Sequence, residues 1–195
     1  VYNEMAQILA VFDETGAVRE FDRDGDLTGG DKIQDAFFVN FARLLTKDEI
    51  KKQSFTLQVL TGSMVTSSMD VLTISDYGAL TSYKTNSPAG EYGILYTSSA
   101  GPGTTTHESG VGLVYYQAGI AVLTASIFDG DNLTSARGLN GYNIGPNMAN
   151  NATVSDNYDN VSQLFVSGSI SGSADAFRNR LYNISFNNTI EINST

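Results

Sequence analysis

Along the chain the spacing of apolar residues changes from helical to alternating. Ile33, Phe37, Phe41 and Leu44/Leu45 recur at i, i+4, i+8 and i+11/i+12, which predicts a helix over residues 31–46. Gly29-Gly30 break the chain before it, and Asp31 suits an N-cap. Asp35 in the first turn, with Arg43 and Lys47 near the end, fits the helix dipole. Phe38 and Val39 fall off the stripe. They nominate a second packing face, expected to meet a neighbouring subunit.

Before this helix, Met5 to Phe12 reads as a strand. A short repeat follows, in which Phe12-Asp-Glu-Thr-Gly-Ala-Val18 matches Phe21-Asp-Arg-Asp-Gly-Asp-Leu27. Asp ahead of a turn and Gly at its end predict two hairpin turns.

From Ser54 the period becomes two. Phe55, Leu57 and Val59 alternate with Thr56, Gln58 and Leu60; Val71–Ile74 and Tyr92–Tyr96 read as further strands, with a turn at Pro88–Gly90. Val111–Tyr116 and Ile120–Thr124 flank Gln117-Ala118-Gly119, a hairpin with Gly at the left-handed position. Both strands are apolar on both faces, which predicts cover on each side. Of Tyr115 and Tyr116, one is expected in the core and the other at a surface or interface. Gln163–Val166 and Ser169–Ser171 read as strand pieces, Ser173–Leu181 as a short helix, and Ile184, Phe186, Ile190 and Ile192 as closing strands. The predicted fold is mainly β (α+β). It has an antiparallel β-sandwich-like body over 54–195 and a small hairpin-plus-helix subdomain over 1–53.

Composition sharpens that division. Residues 1–53 carry 11 acidic and 7 basic residues and no serine, while all 20 serines follow. The 195 residues hold no cysteine and one histidine, His107, which excludes disulfides, thiolate catalysis and multi-histidine metal sites. A net charge of −10 argues against nucleic acid or an anionic membrane as partner.

Several motifs invite chemistry. Asp22-Arg-Asp24-Gly-Asp26 looks like half a calcium loop, but Leu27 and Ile33 stand where that loop needs Gly and Glu; a hairpin turn explains it as well. His107 has no Gly-x-Ser-x-Gly nucleophile elbow to serve. The body carboxylates Asp70, Asp76, Glu91, Glu108, Asp129, Asp131, Asp156 and Asp159 offer no pair marked by spacing. Asn-x-Ser/Thr sequons stand at Asn132, Asn151, Asn160, Asn183, Asn187 and Asn193. No catalytic, cofactor-binding or metal-ligating residue is nominated, and no cofactor. Residues 129–160 are Asn/Gly-rich with scattered apolar residues. They are expected to project as an arm ordered by a neighbouring chain, which buries Leu139, Tyr142, Ile144 and Met148.

Gly29–Ile33 with Phe37–Lys52, Thr85–Tyr96, Val111–Thr124 and Asn183–Thr195 resemble stretches of large virion structural proteins of tailed phages, notably those of marine bacteria and cyanobacteria. The resemblance implies a non-enzymatic part of the tail, baseplate or neck. It would form homo-oligomers and contact other virion proteins, without binding nucleic acid or membrane. It would be assembled in the host cytoplasm and carried on the extracellular particle. The family's chains are expected to run on beyond residue 195. A secreted adhesin or carbohydrate-binding β module is the alternative reading of the sequons and the Asn/Ser/Thr-rich loops.

Overall fold

In a computed structural model the structure describes residues 1–27, 29, 32–41, 49–61, 70–97, 110–125, 174, 177–178 and 181–189. The protein is mainly β, with antiparallel sheets and a small N-terminal helix. The elements are α1 (Tyr2–Leu9), β1 (Phe21–Asp22), β2 (Lys32–Ile33), β3 (Ala36–Asn40), β4 (Glu49–Ile50), β5 (Thr56–Thr61), β6 (Asp70–Ser75), α2 (Ala79–Ser82), β7 (Tyr92–Leu95), β8 (Gly112–Tyr115), β9 (Ile120–Thr124), β10 (Leu181–Ser185) and β11 (Asn188–Thr189). They fall into two compact units. One comprises 1–56, 74–124 and 185–195, and the other 57–73 and 125–184.

The first unit is built on a four-stranded sheet in the order β3-β9-β8-β7. The apolar hairpin forms as its pattern requires: Tyr115 faces Ile120 across the turn, and Gly119 takes φ +64°, a conformation that only Gly adopts freely. Every residue of β7, β8 and β9 is buried, because both faces are covered.

Register sorts those residues. Tyr92, Tyr115 and Ile120 align, as do Ile94, Leu113, Val122 and Phe38. This face packs on Ala6 and Leu9 of α1 and on Phe21 and Ile33. The opposite face carries Gly93, Val114, Ala121 and Val39 in one row and Leu95, Gly112, Leu123 and Phe37 in the next. Gly93 leaves room for the Tyr116 ring: a Cβ there would stand 2.0 Å from the Tyr116 hydroxyl oxygen. Beside this face Phe41 stacks on Phe55 at 5.5 Å between centroids and meets Phe186 at 5.4 Å.

Three sequence expectations are overturned. The helix over 31–46 is replaced by β2 and β3, with residues 42–48 outside the described residues. A four-residue spacing is a multiple of two, so Phe37 and Phe41 also share one face of an extended chain. Pairing of β3 with the buried strand β9 selects the strand, which Phe-Phe-Val favours.

The expected strand over Met5–Phe12 is α1 instead. Tyr2, Met5, Ala6 and Leu9 form the i, i+3, i+4, i+7 stripe that packs on the core. An eight-residue helix is marginal alone, so burial of Ala6 and Leu9 and the Tyr2 hydroxyl hold it. That hydroxyl donates to the Ile33 carbonyl and accepts the Phe21 N–H at 3.2 Å.

Thirdly, Tyr115 and Tyr116 are both buried, at 2% and 0% exposure. Neither lies at a surface, because the sheet is covered on both sides.

The first predicted turn forms: Phe12 bridges Val18, Gly16 has φ +84°, and the Asp13 carboxylate accepts the N–H groups of Thr15 and Ala17 at 2.8 and 3.0 Å. The second repeat begins a longer connection, since β1 pairs with β2.

In the second unit most of a β10-β5-β6 sheet is found. Across it the Asn183 amide donates to Gln58 Oε1 and the Gln58 amide to Thr73 Oγ1, both at 3.4 Å. Phe177, in the segment read as a short helix, is helical and buried, while Ala174 is helical and exposed. No helix among the described residues is long and apolar enough to cross a membrane.

Candidate functional site

Asp22, Asp24 and Asp26 come together: one carboxylate oxygen of each lies within 4.8 Å of the others. Alternate residues of a tight bend can converge in this way, and Gly25 at φ +71° makes the bend. The loop consumes much of its own acceptor capacity. Asp22 Oδ1 accepts the Asp24 N–H at 3.2 Å, Asp22 Oδ2 accepts the Leu27 N–H at 3.0 Å, and Asp24 Oδ1 accepts the Asp26 N–H at 3.1 Å.

Lys32 completes the arrangement. It faces Asp22 in the β1–β2 register, and its ammonium donates to Asp22 Oδ2 at 2.5 Å. The Asp22 side chain is 1% exposed. Burial works against its charge, but hydrogen bonds from Lys32 and Asp24 outweigh it and hold the carboxyl below its usual range. Asp24 is shifted the other way, by burial and by its hydrogen bond to the Asp22 carboxyl. The cluster is a salt-bridged turn in which Lys32 already supplies the cation. Among the described residues those three carboxylates are the cluster that could hold a metal ion, but a monovalent cationic group occupies the most buried of them.

A second polar centre was not singled out from sequence. Asp76, fully buried, follows β6. Its Oδ2 accepts the Gln53 N–H at 2.7 Å and the Tyr116 hydroxyl at 3.0 Å, and its Oδ1 accepts the Phe55 N–H at 3.0 Å. Ser75 Oγ adds a bond to the Phe55 carbonyl at 2.6 Å. Three chain segments are thereby tied at one carboxyl. Burial pushes Asp76 up to about 6 despite those donors. Burial and the Asp76 charge push Tyr116 well above its usual range. The sequence held only a turn signal here, Ser75-Asp-Tyr-Gly78. Its three donors come from residues 21 to 40 positions away, too far for local pattern to reveal.

Of the other body carboxylates, Glu91 is paired with Lys52, whose ammonium lies 4.7 Å from the Tyr83 ring centroid. His107 and Glu108, Asp129, Asp131, Asp156 and Asp159 lie outside the described residues, as do Leu139, Tyr142, Ile144 and Met148 and the whole expected arm. Phe38, expected at an interface, packs within its own chain, 5.7 Å from the Phe21 ring and 6.3 Å from Tyr2. Val39 is half-buried. Two sequons fall on described residues: Asn183 within β10 and Asn187 just after it, both exposed.

The arrangement binds chain to chain. Its buried carboxyls, Asp22 and Asp76, are held by internal donors. Set against known proteins, the chain matches no family model, no curated protein and no solved structure.

Proposed function

We propose that the chain is a non-enzymatic structural component of a tailed-phage virion, in the tail, baseplate or neck. It acts through homo-oligomerisation and contacts with other particle proteins. The observation that carries this reading is where the phage-like stretches fall. Thr85–Tyr96 and Val111–Thr124 contain β7, β8 and β9, three adjacent strands of the central sheet. The likeness therefore covers the part of the chain that sets the fold. Supporting it, the buried polar groups are spent on bonds within the chain: Asp22 accepts from Leu27 and Lys32, and Asp76 accepts from Gln53, Phe55 and Tyr116. The net charge of −10 favours protein partners over nucleic acid.

The test is to find the native protein in a fractionated lysate and weigh it. Many symmetric copies per particle in the virion fraction would support the proposal. A monomer absent from every particle fraction would refute it.

The exposed sequons Asn183 and Asn187 favour a second reading, a secreted adhesin or carbohydrate-binding β module. Glycan occupancy at these positions or at Asn132 and Asn151, read by mass spectrometry, would decide for it.

A further inference from the structure

The Lys32–Asp22 contact differs from an ordinary surface ion pair in three ways. The two residues are direct register partners on antiparallel strands, so the backbone holds the ammonium against the carboxyl. The Asp22 side chain is 1% exposed and that of Lys32 23%, so little water reaches the join. A second carboxyl, Asp24, has an oxygen within 4.8 Å of one of Asp22's. The Lys52–Glu91 contact lacks this burial: its side chains are 21% and 31% exposed.

We propose that Lys32 and Asp22 condense after folding into an intramolecular isopeptide bond, with Asp24 relaying the proton. The Lys32 ammonium passes a proton to Asp22 Oδ2 along their hydrogen bond, and the freed Nζ lone pair forms a bond to Asp22 Cγ. The Cγ–Oδ2 bond breaks and that oxygen leaves as water. That water carries the proton received from Lys32 and one given by Asp24, and Asp24 then recovers a proton from the nitrogen, so the ammonium is the net source of both. An ammonium and a carboxylate become an amide and water, so atoms and charge balance with no oxidant, nucleotide or metal.

Three features of the site serve the reaction. The Asp24 backbone N–H, 3.2 Å from Asp22 Oδ1, steadies the oxygen that remains as charge builds on it. Burial and the Asp22 carboxyl raise the proton affinity of Asp24, the direction that suits a proton relay. Register fixes amine and carboxyl as neighbours, which replaces a bimolecular encounter with an intramolecular one. In a chain with no cysteine, this bond would close the loop from Asp22 to Lys32 as a disulfide would.

The experiment is mass spectrometry on the purified full chain. The proposal expects an intact mass lighter than the sequence by one water. It also expects trypsin to leave Lys32 uncut, so that the peptide 20–23 travels joined to the peptide 24–43. Lys32→Arg and Asp24→Asn should restore the full mass, with circular dichroism spectra like the wild type's. A wild-type chain of full mass, cut by trypsin after Lys32, overturns the proposal. So does a water loss confined to a succinimide at Asp24-Gly25, because that leaves Lys32 cleavable. A bond that still forms completely in Asp24→Asn overturns the relay.

Discussion

Asp76 should make the protein more stable in mild acid than at neutral pH, and replacing it should abolish that gain. Its carboxyl is raised from the ordinary 3.8 to about 6 by burial. A raised folded-state pKa means that the folded protein binds the proton more tightly than the unfolded chain. The associated stability is complete below about pH 4 and is lost as pH rises through about 6. Between pH 7.5 and pH 5, linkage with these two values gives a gain of about 1.4 kcal/mol from this one group.

Asp76→Ala removes the acceptor of three buried donors, the N–H groups of Gln53 and Phe55 and the Tyr116 hydroxyl. Each orphaned donor costs about 1–3 kcal/mol. Relief of the buried charge offsets part of this at neutral pH, leaving a net loss of about 3 kcal/mol at pH 7.5. The loss should widen by about 1.4 kcal/mol at pH 5, since only the wild type gains there. Urea denaturation followed by tyrosine fluorescence, the chain having no tryptophan, measures both quantities. Asp24, also raised, is common to both proteins and cancels in the difference. A loss that stays constant or narrows on acidification would refute the reasoning.

Three further outcomes are expected. Gly93→Ala should lower stability by about 1–3 kcal/mol, because the new methyl stands 2.0 Å from the Tyr116 hydroxyl oxygen and pushes it off Asp76; a thermal midpoint unchanged from wild type would contradict the packing. Phe38→Ala should cost about 1–3 kcal/mol and leave the oligomeric state unchanged in light scattering, as its half-buried ring packs on Phe21 and Tyr2. Dissociation of an oligomer with little loss of monomer stability would return Phe38 to an interface. Millimolar calcium should not shift the melting temperature, because Lys32 already neutralises Asp22; a calcium-dependent rise would make the acidic loop a cation site.

The sequence by itself determined the β character from Phe55 onward, the hairpin from Val111 to Thr124 and the turn at Asp13–Gly16. In each, the signal is local: alternation, or a residue whose backbone preference permits one turn. A strand apolar on both faces also announced that both faces would be covered, which β7, β8 and β9 fulfil. Tertiary structure decided the remainder. Ile33, Phe37 and Phe41 satisfy a helical and an extended spacing alike, and only pairing of β3 with β9 chose between them. Met5–Leu9 became a helix because its apolar stripe had the aromatic face of the sheet to cover. The polar centres were still less legible. Asp22 and Lys32 are ten positions apart, and Asp76 draws its donors from residues 53, 55 and 116. A hydrogen bond depends on distance in space, and local pattern carries no information about which distant donors a fold will bring to a buried carboxyl.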